Sequence, residues 1–192
     1  PTARELVNVN AETLPLNFAW QEEQPLTVVS AADAGQHKLA RESIAIAYGI
    51  NLAPTVSNAD SKQLPLHLAG TQIFLTDSNG VEHAAPLFSV SPKQVTFMIP
   101  AETALGAASL LLRNQAGALF VTTVEIVELA PAIFTGESQW PAAMLLRNSA
   151  DGRLSYEPIS RLRFDGQEQL ILVLFGTGLR RHQGRARWAK SV

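Results

Sequence analysis

The chain has 192 residues, 46% hydrophobic and 17% charged, with a formal net charge of −2 and no cysteine. That composition excludes a disordered polymer, a disulfide-stapled scaffold, thiolate metal sites and a cysteine nucleophile. The longest unbroken apolar run, residues 170–175, falls far short of the ~20 residues a membrane-spanning helix needs, so no membrane insertion is expected.

Short β-rich runs separated by turn residues recur along the chain, as in a sandwich or barrel. Residues 5–10 (ELVNVN) and 14–20 (LPLNFAW) alternate with period two, the pattern of half-buried strands. Runs at 26–29 and 43–48 follow. Between them, residues 33–45 lack a clean 3.6-residue stripe and support at most one short helical turn. Beyond a loop over 51–63 come runs at 66–68 and 71–76. Asp77-Ser78-Asn79-Gly80 predicts a type I′ hairpin, since Asn-Gly readily takes positive φ angles, and the chain returns through 81–90. Further strands are expected at 94–99, 107–113 and 119–129, with a tight turn at 114–117.

These runs amount to seven to nine strands within residues 26–129, the size of one immunoglobulin-like β-sandwich. Pro131 cannot extend a central ladder, so Ala130-Pro131 reads as a boundary. Past it, runs at 132–134, 142–147, 154–156, 161–164 and 170–175 make half of a second sandwich. The expected organisation is all-β: an N-terminal extended segment over 1–25, the sandwich over 26–129, and a partial second β-sandwich module over 130–192. A short echo supports the second module. Tyr48-Gly49-Ile50-Asn51-Leu52 and Phe175-Gly176-Thr177-Gly178-Leu179 share an aromatic, a glycine and a leucine three residues later.

Known chemical motifs are hard to find. His37, His67, His83 and His182 are scattered without metal-ligand spacing. Asp77-Ser78-Asn79-Gly80 resembles the start of a calcium loop, yet Phe88 stands where the bidentate glutamate belongs. Gly176-Thr177-Gly178 has two glycines of a dinucleotide fingerprint but Arg181 in place of the third. Glu22 and Glu23 are adjacent and would point to opposite faces of a strand. No enzymatic activity, metal or cofactor is expected. Arg180, Arg181, Arg185, Arg187 and Lys190 make residues 180–192 +5 against −7 for the rest, but only Trp188 interleaves with them, so nucleic acid is disfavoured. Trp20, Trp140, Trp188, Tyr48 and Tyr156 are expected mainly as core or junction fillers.

An ordered series of segments carries a more specific likeness. It runs from Val28-Val29-Ser30-Ala31-Ala32-Asp33 and Ile44-Ala45-Ile46-Ala47-Tyr48-Gly49-Ile50-Asn51-Leu52 through Ala85-Pro86-Leu87-Phe88-Ser89-Val90-Ser91-Pro92 and Leu105-Gly106-Ala107. Ala130-Pro131-Ala132-Ile133-Phe134, Tyr156-Glu157-Pro158 and Leu174-Phe175-Gly176-Thr177-Gly178-Leu179 complete it. Over about residues 27–180 the chain resembles the Solibacter-type uncharacterised C-terminal domain, a bacterial family of exported proteins. The resemblance implies tandem immunoglobulin-like modules and an extracellular or cell-surface location; it carries no catalytic or binding residues. Family members continue past the second Phe-Gly-Thr-Gly-Leu with more strands, so the second module is expected to be incomplete.

Three functions follow as expectations. The first is a non-enzymatic structural or interaction module of an exported bacterial protein, meeting other protein chains. The second is a self-assembling subunit whose partial module is completed by strand addition from another copy, through Leu6, Val7, Val9, Leu14, Leu16, Phe18 and Trp20. The third is a glycan-binding module using Trp140 and Trp188.

Overall fold

A computed structural model describes residues 25–60, 63–136, 140–149, 152–158 and 169–179. The alternating segments at 5–10 and 14–20, with the candidate residues Leu6 through Trp20, lie outside the described residues, as do 161–164, His182 and Trp188.

Fifteen strands and no helix occur among the described residues. In chain order the first ten are β1 (Thr27–Ser30), β2 (Lys38–Ala40), β3 (Ile44–Tyr48), β4 (Ser57–Asn58), β5 (Gln72–Thr76), β6 (Glu82–Ala84), β7 (Leu87–Val90), β8 (Gln94–Met98), β9 (Gly106–Arg113) and β10 (Leu119–Val127). They form two five-stranded sheets ordered β1-β3-β8-β7-β4 and β2-β10-β9-β5-β6. The sequence β1-β3-β8-β7 facing β5-β9-β10 is the ABED-over-CFG arrangement of the immunoglobulin fold. The chain enters one sheet as β1, antiparallel to β3, then crosses to the other as β2, parallel to the last strand β10.

Alternation explains the layers. β5 and β8 both read half-buried, buried, half-buried, buried, half-buried, because their odd and even side chains face opposite sides of a sheet. Ile73, Leu75, Leu110, Leu112, Phe97 and Phe120 meet between the sheets with almost no exposure.

Four local expectations change. Within 33–45, where at most one helical turn was expected, 38–40 form the strand β2, and Asp33 closes a tight loop by accepting the Gly35 amide at 2.9 Å. The loop expected over 51–63 contains β4, which edges the first sheet. The return at 81–90 is split by Pro86 into β6 and β7, which join different sheets. The 66–68 run contributes only a bridge from Leu68 to Thr71.

The Asp77–Gly80 hairpin is also not type I′. Only Gly80 has positive φ (77°), and Asp77 pairs with both Gly80 and Val81, which is a type I turn closed by a left-handed glycine. The same hydrogen-bond pattern recurs at Asn114–Gly117 and Ser149–Gly152, so one turn chemistry closes three hairpins.

The remaining strands are β11 (Ala132–Ile133), β12 (Ala143–Asn148), β13 (Leu154–Pro158), β14 (Gln169–Leu174) and β15 (Gly176–Thr177). They form a β11-β15 pair and a three-stranded sheet ordered β13-β12-β14. The two echo segments share a backbone turn: Asn51 and Gly178, each two residues after the shared glycine, both have positive φ (61° and 71°).

Candidate interaction surface

The β13-β12-β14 sheet is antiparallel throughout, and its register assigns every side chain to a face. One face carries Ala143, Leu145 and Arg147 beside Leu170, Leu172 and Leu174, with Ser155 and Glu157 along β13. The other carries Met144, Leu146 and Asn148 beside Gln169, Ile171 and Val173, with Leu154, Tyr156 and Pro158. Both faces are therefore rich in apolar side chains, whereas a sandwich strand with one face to water alternates apolar and polar. The continuous run at 170–175 already has the form of a strand covered on both sides.

Neither face is fully covered. Leu172 is 53% exposed and Leu174 46% on the first face; Tyr156 is 64% and Ile171 42% on the second. Leu145, at 3%, is the one fully buried side chain of the sheet. Among the described residues, no strand lies beyond β13 or β14, so no described strand covers either edge of the sheet. An apolar sheet with such edges offers both a hydrophobic patch and a row of backbone hydrogen-bonding groups.

The polar end of the first face is ordered by an ion pair. Arg147 Nε donates to Glu157 Oε1 at 3.1 Å and Nη2 donates to Oε2 at 3.3 Å, a two-point fork. Those bonds from Arg147, with its charge, outweigh desolvation and hold the Glu157 carboxyl below its ordinary pKa; the Ser155 hydroxyl adds to the effect. Partial exposure keeps the pair a register device on β12 and β13 more than a source of stability.

The sheet is tied to the first sandwich through β11 and β15. The Ala130 amide donates to the Gly178 carbonyl at 3.2 Å, and the Ile44 amide donates to Thr177 Oγ1 at 2.7 Å. The Phe134 amide bonds to the Phe175 carbonyl and the Phe175 amide to the Ala142 carbonyl, both at 2.9 Å, linking the pair to the start of β12. Gly176 and Gly178 thus serve close backbone packing in and beside a short strand, against the carbonyls of Ala132 and Ala130.

The sequence-derived site residues are placed as follows. Trp140 is 71% exposed, and Tyr48 and Tyr156 are 40% and 64% exposed, so none of these three fills a core, the first of the two places expected of them. Trp140 sits on the arm before β12, where its carbonyl accepts the Gly136 amide. Asp77 is no calcium ligand in waiting. Its carboxylate accepts the amides of Ala104, Asn79 and Val81, and lies 3.0 Å from His83 Nε2. The Ala104 amide first, then His83, hold its pKa far below the ordinary range against desolvation. No group of three or more metal-ligating side chains occurs among the described residues. No helix among them is long and apolar enough to cross a membrane.

Sequence reasoning registered the apolar run at 170–175 but not its two-sided exposure. The signal was present, since both parities of β12 and β14 are apolar, but only the register shows which side chains share a face.

No family model matches the chain, and no curated protein matches it. Among solved structures, the crystal structure of the Lin-41 filamin domain is similar over 53% of this chain and 91% of that one, at 14% identity and a TM-score of 0.33.

Proposed function

We propose that the chain is a non-enzymatic structural module of an exported bacterial protein, and that the β13-β12-β14 sheet is where it meets another protein chain. The observation that carries this reading is the apolar content of both faces of that sheet combined with exposure on both. Surface of that kind is rarely left in water, and burying it on a partner is favourable by roughly 25 cal/mol per Å² before the costs of association. The exported, cell-surface setting is supported by the family resemblance of residues 27–180.

A second reading, self-assembly with another copy as the partner, is favoured by the edges of β13 and β14 that no described strand covers, where main-chain pairing can add strands. Trp140 is exposed as a glycan platform requires, but its carbonyl is bonded within its own arm, to the Gly136 amide, and the interaction reading uses the larger surface.

Binding of a hydrophobic dye and sedimentation velocity of the full chain test the proposal together. Dye bound by the dilute chain, and reduced in the double variant Ile171→Lys/Leu172→Glu, is the expected result. A chain that is monomeric at every concentration and binds no dye has this sheet covered by itself, and the proposal fails. Mass that rises with concentration, and falls back in the double variant, selects self-assembly.

A further inference from the structure

The register of the β2-β10-β9-β5-β6 sheet lines up a second apolar surface on its outer side. Val121 of β10 stands opposite Leu111 of β9, Leu111 opposite Phe74 of β5, and Phe74 opposite Ala84 of β6. All four point outward, because Phe120, Leu110, Leu112, Ile73 and Leu75 take the inward parity of the same strands. Val121 is exposed, as is Leu119 two residues before it, and Leu111, Phe74 and Ala84 are half-buried. A sheet face turned to water is ordinarily polar, so an apolar row crossing four strands departs from the usual alternation. The next row, Thr123, Ser109 and Thr76, has only short side chains, which lets another flat surface approach to the ~10 Å of packed sheets.

Charge is divided between the two ends of this face. At one end Arg113, opposite Leu119, is steadied by Nη2 donating to Gln72 Oε1 at 2.7 Å. At the other end stand Glu125, opposite Ala107, and Glu82, opposite Thr76, with Lys38 Nζ 3.4 Å from Glu125. Among these side chains one end is positive and the other, with two acids against one lysine, is negative.

We infer that this face is an interface between two copies of the chain, packed sheet on sheet about a twofold axis that runs across the strands by the apolar row. Such an axis reverses the rows, so the Arg113 end of each copy lies over the Glu125 and Glu82 end of the other, and the apolar rows meet. An axis along the strands would instead set Arg113 against Arg113, which like charge opposes. Four strands ~4.8 Å apart and the nine residues of β10 give at most ~600 Å² per copy, or ~1,200 Å² for the pair, the low end of specific interfaces. The dimer is therefore weak and governed by concentration. The inference does not depend on the proposed function, which uses another side of the molecule. The β11-β15 pair adjoins the opposite sheet, where Ile44, Phe88 and Met98 line a cavity with Gly176, Thr177 and Leu179.

Sedimentation equilibrium of the full chain tests it, in the Ile171→Lys/Leu172→Glu background so that the second module does not contribute. A mass rising with concentration from monomer towards dimer is expected, with Val121→Lys weakening association ~10-fold or more. Arg113→Glu and Glu125→Arg are each expected to weaken it as well, and their equimolar mixture to restore it, because every charge then meets its opposite. All three positions are exposed, so the thermal midpoints should stay close to the parent's. A monomer at every concentration overturns the inference, whether the face is solvated or covered by other residues of the same chain. Association unchanged in Val121→Lys overturns it too, as does a mixture no stronger than its components. If the double-variant background does not fold, the mixing experiment in the parent chain decides. The dye comparison at Ile171 and Leu172 reads the second module alone, so the two proposals fail separately.

Discussion

The amide of Ile44 donates to the side-chain oxygen of Thr177 at 2.7 Å, across 133 positions of sequence. Ile44 begins β3 and Thr177 ends β15, so this bond closes the junction between the ten-strand sandwich and the β11-β15 pair. Thr177 is 6% exposed, which shields the bond from water.

Replacing that oxygen tests the junction. Thr177→Val keeps the shape and removes the acceptor, leaving the Ile44 amide without its partner at a cost of about 1 kcal/mol, more if water cannot reach it. Denaturant unfolding is expected to show the loss, and hydrogen exchange of the Ile44 amide should accelerate. Equal stability and exchange in the variant would mean that the junction is held elsewhere.

Gly178→Ala is expected to be worse. Gly178 has φ of 71°, and a Cβ there would overlap the carbonyl of Ala130. Strain and overlap together should cost more than about 1 kcal/mol, whereas Gly152→Ala, in the open turn before β13, meets only the strain of its φ of 80°. Comparing the thermal midpoints of the two variants separates overlap from backbone strain.

Asp77 predicts a pH dependence. Its folded carboxyl is held far below the ordinary value of about 3.9, so it stabilises the fold above that value. The contribution should fade as pH falls below it, because protonation then favours the unfolded chain. In Asp77→Asn, the stability lost between pH 5 and pH 2 is expected to be smaller than in the parent; the difference removes the shared contribution of Glu157. At neutral pH, Asp77→Ala should lower the thermal midpoint more than Asn114→Ala. Asp77 binds the β5–β6 turn and the Ala104 amide at once, while Asn114 caps its own turn and bonds to Asn51.

In the core, Leu110→Ala removes a side chain with no exposure, packed between the sheets, and is expected to cost about 2–5 kcal/mol by transfer and cavity formation. The matching truncation of Leu172 should leave the dilute monomer nearly unchanged, since that side chain is 53% exposed. A large loss at Leu172 would show that something already covers it.

From the sequence alone, β-rich runs bounded by turn residues located β3, β5, β8, β9 and β10 to within a residue or two, because strand-forming and turn-forming residue types act locally. Glycine as the fourth residue of three tight turns was equally local: at Gly80 only a residue without Cβ takes the left-handed angle freely. The type of that turn was not legible from Asn-Gly, because it follows from the pairing of Asp77 with both Gly80 and Val81, which fixes the loop length. β2 and β4 escaped notice because strands of three and two residues are defined by their partners and not by any periodicity of their own. Tertiary structure alone decided the ABED-over-CFG order, the parallel pairing of β2 with the end of β10 and the exposure of β13-β12-β14 on both faces. A side chain's alternation is a property of its neighbours in sequence, but whether its face is covered depends on which distant strand arrives beside it.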